Sequence, residues 1–600
     1  MIKLDSNEKL GSSQFLKRKQ LWSKYRYYSL LLILFLVTGS LLLDPGSTDI
    51  NNKNDVSIFS TDSTVELCPK VHPLTPKFNK SIDYILNDPL YKKQSIERLS
   101  KAVQIPTEVQ DVNPDPKLNP GFYSQFITLH RFIDNTFPLI KTRLQKEVIN
   151  EFGLLYTWKG TNETLKPILL MAHQDVVPVN KDSVDQWTFP PFSGHYDPNT
   201  DLLWGRGAND CKNLLIAELE AVEKLLEDGF IPERTIILSL GFDEESSGVW
   251  GASHLASFIH ERYGDDSILL VVDEGAGIVE VENGLYIAPV VNSEKGYVDV
   301  TIEILGHGGH SSVPPDHTTI GVAADLITLI ESSPFPSDFQ LDNPLYGALT
   351  CTAEHSTSLP SDIKNIILNA GVDDKHRNQL TQYVSNNKQL RDLIRTTQSV
   401  DIISGGVKAN ALPESTKFLV NHRVDFHSSV RETVLEDVER ARVVANRYGY
   451  GLLFEGEYLI EPTELGFIEV TYSKPLEPAP TSPSSGPVWD ILAGTIQDLF
   501  NNAFIVEKAN DNSNDRNNSS NSSSNNGLYV TTGVFSGNTD TKYYWSLTNH
   551  IYRFIGALFD ESSLKTVHSV NENIEMKNHL SAITFVYELI VNVNESDLAY

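Results

Sequence analysis

Three short apolar runs in the first half of the chain each stop on acidic or imidazole side chains: "PILLMAHQD" (Pro167–Asp175), "TIILSLGFDEE" (Thr235–Glu245) and "SILLVVDEG" (Ser267–Gly275). Between the first two lies "NLLIAELEAVEKLLEDG" (Asn213–Gly229), whose apolar positions recur at helical spacing and which ends on glycine. Strand, helix, strand in this order predicts an α/β domain with a mixed, largely parallel sheet flanked by helices. In such a sheet the ligand-binding groups gather at the carboxyl ends of the strands.

The residues at those ends carry the chemistry. His173 and Asp175 are two apart, so on a strand they face one site. Asp210 follows two glycines in "WGRGANDCKN", just ahead of the predicted helix. Asp243, Glu244 and Glu245 end the second run, and Asp273 and Glu274 end the third. Buried carboxylates without counter-charge are costly, and no matching set of Lys or Arg stands beside them. A divalent metal is the economical counter-charge. Histidine with carboxylates and no thiolate suits zinc, with cobalt or manganese as substitutes.

At 600 residues the chain needs two or more domains. With 49 Lys and Arg against 78 Asp and Glu, its formal charge of -29 excludes nucleic acid as a partner. From Gly296 the texture changes. The alternating strands "GYVDVTIEILG" and "TKFLVNHRVDF" are each followed by a helical stretch, "TTIGVAADLITLIE" and "VRETVLEDVERARVVANRYG". Two such units predict a smaller α+β domain inserted in the first, with a helix-biased insertion at about 332–396. "EPAPTSPSSGP" (Glu477–Pro487) marks the return, and "NDNSNDRNNSSNSSSNN" (Asn510–Asn526) is too polar to build a core. The three cysteines, Cys68, Cys211 and Cys351, show no zinc spacing, and a Cys68–Cys351 pairing stays open.

The N-terminus sets the expected address. Residues 27–43, "YYSLLLILFLVTGSLLL", form an uncharged run preceded by Lys17, Arg18, Lys19, Lys24 and Arg26. This predicts a cytosolic tail (1–26), a signal-anchor (27–43), with a cleaved signal peptide as the alternative, and a lumenal stem (44–70), with all that follows lumenal. Sequons at Asn79, Asn162, Asn517, Asn518, Asn521 and Asn594 fit glycosylation in that compartment.

In order and at fitting distances, "MAHQDVVPV", "WGRGANDCKN", "GFDEESSG", "VVDEG", "GHGGHSSVPPDHT", "GGVKANALPE", "SGNTDTKYY" and "VHSVNENI" resemble the di-zinc aminoacylase/carboxypeptidase family of metallopeptidases. The nearest branch is that of the fungal vacuolar Gly-X carboxypeptidases. The resemblance implies a zinc-peptidase catalytic domain in two parts (71–295 and 466–600) around a lid/dimerisation-type domain (296–465). It implies two Zn²⁺ per subunit: His173 and Asp273 on one, Glu245 and His568 on the other, Asp210 bridging. Asp175 would orient His173, Glu244 would be the general base, and His310 would donate to the oxyanion. The peptide bond after Asp210 is expected to be cis. Arg423 would grip the substrate carboxylate, with Asn410 adding hydrogen bonds and Gly537 and Thr539 lining the pocket.

The expected substrates are short peptides with a free C-terminus, hydrolysed in a vacuolar lumen. A homodimer, and ubiquitin-dependent sorting through Lys3, Lys9, Lys17, Lys19 and Lys24, are further expectations. Two other readings compete: an N-acyl amino acid hydrolase or condensing enzyme using the same site, and a catalytically dead scaffold. The full ligand set argues against the scaffold.

Overall fold

The structure is a computed structural model that describes residues 67–505, 527–560 and 564–598. The tail, the anchor, most of the stem, the tail lysines and the sequons at Asn517, Asn518 and Asn521 lie outside these residues. Among the described residues no helix is long and apolar enough to cross a membrane.

All three acid-tipped runs enter one eight-stranded mixed sheet. Its order is Gln145–Ile149, Gly153–Trp158, Ile236–Gly241, Ile168–His173, Leu270–Glu282, Ile551–Phe559, Leu285–Glu294 and Gly527–Phe535. The central strands run parallel: Ile168–His173 pairs in parallel with Ile236–Gly241 on one side and with Leu270–Glu282 on the other. Their carboxyl ends therefore emerge together. Ile168, Leu170 and Ala172 face the larger core, against the helices Lys212–Glu227 and Met576–Glu595. Leu169 and Met171 face the opposite layer, under the helix Ala252–Tyr263. This alternation explains why the strand is apolar at every position.

A second, six-stranded sheet is built from Thr397–Gly405, Ser415–Val424, Gly296–Leu305, Phe467–Leu476, Gly451–Phe454 and Glu457–Ile460. Its apolar face is covered by the helices Thr319–Ser332 and Val430–Tyr448. The latter opens with a capping box of Ser429 and Glu432 and stops at Gly449, whose φ of 71° suits glycine. Phe467–Leu476 belongs to this sheet, so the smaller domain extends past the expected limit at 465. The chain crosses between the sheets at Glu294–Gly296 and returns alongside, where Ala479 N–H donates to Glu294 O at 2.9 Å.

The insertion differs from expectation in what it packs on. Its helices Leu345–His355, Ser361–Asn369 and Asp374–Asn386 share a core with Val534 of the large sheet's edge strand. Gly347 sits so close to that strand that a Cβ would fall 2.3 Å from Thr531 Oγ1. The segment thus covers an edge that would otherwise be open. Cys68 and Cys351 form a disulfide that ties the start of the described chain to the first of these helices.

Candidate metal centre

At the strand ends the structure assembles a cluster around Asp210. One Asp210 oxygen lies 3.1 Å from His173 Nε2, and the other lies 3.0 Å from His568 Nε2. His568 Nε2 also lies 3.0 Å from Glu245 Oε2. Two imidazoles are thus joined through one shared carboxylate. His568 is contributed from far along the sequence by a turn in which its φ is 56°, a strained value for a non-glycine residue. The Asp210–Cys211 peptide bond is cis, as expected.

Asp175 holds the other side of the cluster. Its two oxygens accept the backbone N–H groups of Glu244 and Glu245, at 3.2 and 3.0 Å. Its Oδ1 is 3.4 Å from His173 Nδ1. One carboxylate thereby orients the imidazole and the turn bearing both glutamates.

At the third strand end the carboxylate that meets His173 is that of Glu274, with Oε2 at 3.5 Å from Nε2. The reason is strand geometry: adjacent residues point to opposite faces. Asp273 Oδ1 accepts the N–H of Glu274, and its Oδ2 is buried without a hydrogen-bond partner.

The electrostatics describe a site that demands cations. Burial pushes the Glu245 carboxyl up to about 7, and burial with the nearby Glu274 raises Glu244 well above the carboxylate range. Burial alone would lower the two imidazoles. The surrounding Cys211, Glu274 and Asp175 nevertheless raise His173 well above its ordinary value, and Glu245 and Asp210 do the same for His568. Imidazole and carboxylate atoms converge, with His173, Asp210 and Glu245 forming one group and His173, Cys211 and Glu274 another. That donor chemistry fits divalent ions of the zinc type.

Glu572 was not singled out by the sequence, although "NEN" follows His568 closely. Fully buried, it accepts from Arg206 Nη1 at 2.6 Å and from the N–H groups of Gly207, Asn209 and Asp210 at 3.0, 3.0 and 3.1 Å. It fixes the loop that carries the shared aspartate. Lys212, next to Cys211, is also fully buried and donates to Ala102 O and Ile105 O; burial lowers its amine to about 7.

The remaining expected residues lie away from this cluster. His310 and Asn410 are exposed at one corner of the smaller domain, where Gly309–His310 pairs with Ala411–Leu412. The hydrogen bonds of His310 Nδ1 come from Ser312. Arg423 is packed over the Tyr297 ring at 4.8 Å, and its Nη1 is 3.4 Å from Asn538 Oδ1. It therefore adjoins the "SGNTD" loop of Gly537 and Thr539. That loop is anchored by Glu294, which accepts from Thr539 N–H and pairs with Arg553 at 2.9 Å. Asn79 and Asn162 are exposed. Asn594 is different: its amide donates to Ile590 O and accepts from Arg234 N–H, so it is tied into the fold.

Comparison with known proteins identifies the family. A model of peptidase family M20/M25/M40 matches residues 169–511. Carboxypeptidase S of Saccharomyces cerevisiae is 55% identical over 96% of this chain and 98% of its own length. The human N-fatty-acyl-amino acid synthase/hydrolase PM20D1 is 29% identical over 83% of this chain and 87% of its own. Among solved structures, human carnosine dipeptidase 1 superposes with a TM-score of 0.54 at 14% identity, covering 87% of this chain and all of that one. The chain belongs to peptidase family M20, as a metallocarboxypeptidase of the carboxypeptidase S type.

Proposed function

We propose that this metallocarboxypeptidase holds two zinc ions and removes the C-terminal residue of short peptides of the Gly-X type. His173 and Glu274 would hold one ion, Glu245 and His568 the other, and Asp210 both. The observation that carries the reading is the single Asp210 carboxylate with one oxygen toward each imidazole. When bound, the ions supply Lewis acidity and lower the pKa of the attacking water. Glu244, beside the cluster but with its own carboxylate outside it, takes the water's proton on a carboxylate oxygen and passes it to the leaving amine. Asp175 keeps the Glu244 turn and the His173 ring in register. Arg423 offers a guanidinium for the substrate's free carboxylate. His310 would donate to the oxyanion once the smaller domain, or that of a second subunit, closes over the site.

The N-terminal run and its basic flank support an anchored, lumenal enzyme, and a vacuolar lumen is the compartment proposed for it. An N-acyl amino acid hydrolase is the second reading, favoured by the likeness to PM20D1. Turnover of N-blocked Gly-X dipeptides against fatty-acyl amino acids, with zinc counted in the same preparation, separates the two. Fewer than two zincs in an active enzyme would end the two-zinc reading.

A further inference from the structure

We propose that the segment Asn538–Tyr543 is a positioning element. It joins the group that holds the substrate's free carboxylate to the turn that bears the general base, so a free C-terminus is selected in kcat as well as in binding. The proposal rests on the roles given above to Arg423 and Glu244 and deepens them.

The two ends of the segment lie against two parts of the site. At one end, Asn538 Oδ1 is 3.4 Å from Arg423 Nη1, and the same amide donates to Lys295 O at 2.5 Å. Asn538 thus ties the guanidinium to the crossing between the domains. Glu294 holds the middle, accepting the Thr539 N–H at 2.9 Å and the Thr541 hydroxyl at 3.2 Å. At the other end, the short helix Asp540–Tyr543 packs on the Glu244–Glu245 turn. Asp540 is buried, and its carboxylate lies between Gly241, which ends the strand before the turn, and Gly248, just past it. A Cβ at Gly241 would fall 2.7 Å from Asp540 Oδ2, and one at Gly248 would overlap Asp540 Oδ1, so glycine at both points admits the carboxylate. Tyr543 adds a direct bond, its hydroxyl donating to Ser247 O at 2.8 Å. Ser247 has a φ of 81°, a conformation that a non-glycine residue keeps only with outside support.

Asn538 and Asp540 are two positions apart, and the residue between them is pinned by Glu294, so the link has no slack in which to absorb a displacement. A carboxylate seated on Arg423 fixes Asn538. Through Asp540 and Tyr543 it then fixes the turn that carries Glu244. Binding energy from a group remote from the scissile bond is in this way used where the proton is moved.

The test measures kcat and KM separately for N-blocked Gly-X dipeptides, as free acids and as amides, in the full-length protein with zinc content checked. Tyr543→Phe removes one hydroxyl. It should lower kcat on free acids by about threefold to tenfold, the scale of one lost hydrogen bond, with KM on acids and kcat on amides within about twofold of wild type. Asp540→Ala should show the same pattern at about tenfold to a hundredfold, the scale of a misplaced reacting group. In an Arg423→Ala background Tyr543→Phe should add nothing further, because the coupled end is already lost. If Asp540→Ala does not fold, Tyr543→Phe and the double variant decide. Equal losses on acids and amides, or losses that add to that of Arg423→Ala, overturn the coupling and leave Arg423 and Glu244 in their roles. An Arg423→Ala protein that keeps the wild-type preference for acids overturns the carboxylate reading and the coupling with it.

Discussion

Glu572 accepts the backbone N–H of Asp210 at 3.1 Å while its other oxygen holds Arg206 at 2.6 Å. Glu572 lies four positions after His568, so the segment that brings the second imidazole also fixes the shared carboxylate. Glu572→Gln would leave the nearly buried Arg206 guanidinium without its anion, a loss of about 3–5 kcal/mol for a broken buried pair. Both melting temperature and zinc affinity should fall. Competition with a chelator and thermal melting of the zinc-loaded protein measure the two together. Unchanged zinc affinity in a destabilised variant would reduce Glu572 to a fold-holding role.

Glu244 and Glu245 are neighbours with different duties. Glu245 contacts His568, whereas Glu244 does not. Glu244→Gln should keep both metals and bind substrate while kcat falls by about two to four orders of magnitude, the scale of a lost acid–base group. Glu245→Gln should instead lower metal occupancy. Metal analysis beside steady-state kinetics distinguishes them, and a metal-poor Glu244→Gln protein would reverse the assignment.

The same comparison applies to Asp273 and Glu274. With Glu274 at 3.5 Å from His173, Glu274→Gln should cost one of two zincs. Asp273→Asn should retain both, because its carboxylate receives the Glu274 N–H and lies on the other face. Zinc counting on the two purified variants settles which carboxylate is the ligand.

How much of this site was legible in the sequence follows from the same residues. His173, Asp210, Glu245 and His568 could be named because motif order survives in the sequence, and their meeting depends on parallel strands ending together. Asp273 and Glu274 could not be told apart, since adjacent strand residues differ only in the face they present, and nothing in "VVDEG" states the register. Glu572 was invisible for another reason: its partners are backbone N–H groups, which have no sequence signature. The insertion's helices were expected, but their docking on Val534 depends on a long-range edge that local periodicity cannot show.

A pH effect should arise from His130, behind the metal strand. Its Nε2 lies 2.8 Å from Gln174 Oε1, and Gln174 already donates its amide hydrogens to Phe152 O and Leu240 O, so His130 is the donor. Burial lowers its imidazole to about 4, against about 6.5 in an unfolded chain. As pH falls from about 6.5 to about 4, the unfolded state takes up a proton that the folded state refuses, and stability declines through that window. The ring is only partly enclosed, so the loss should be about 1–3 kcal/mol. His130→Gln keeps a donor that does not titrate. Its melting temperature should depend less steeply on pH between 6.5 and 4 than that of the wild type, and parallel curves would assign the acid sensitivity elsewhere.

Arg423 offers the sharpest test of selectivity for a free C-terminus. It does not pair with Asp425, which faces Lys295 and His427 instead. Its guanidinium rests on Tyr297 and touches Asn538 of the "SGNTD" loop, at the junction of the two domains. If that guanidinium grips the substrate carboxylate, amidated dipeptides should be poor substrates of the wild type. Removing one member of a buried charged pair costs about 2–5 kcal/mol, so Arg423→Ala should lose kcat/KM on free-acid dipeptides by a factor of tens to thousands. The amides should lose far less, and the preference should collapse. Arg423→Lys should rescue only in part, because a point charge does not reproduce a two-pronged contact. The measurement is kcat/KM for acid and amide pairs in the three proteins, with zinc content checked in each. An equal loss on acid and amide would mean that Arg423 supports the domain junction, through Tyr297 and Asn538, and that another group holds the substrate's carboxylate.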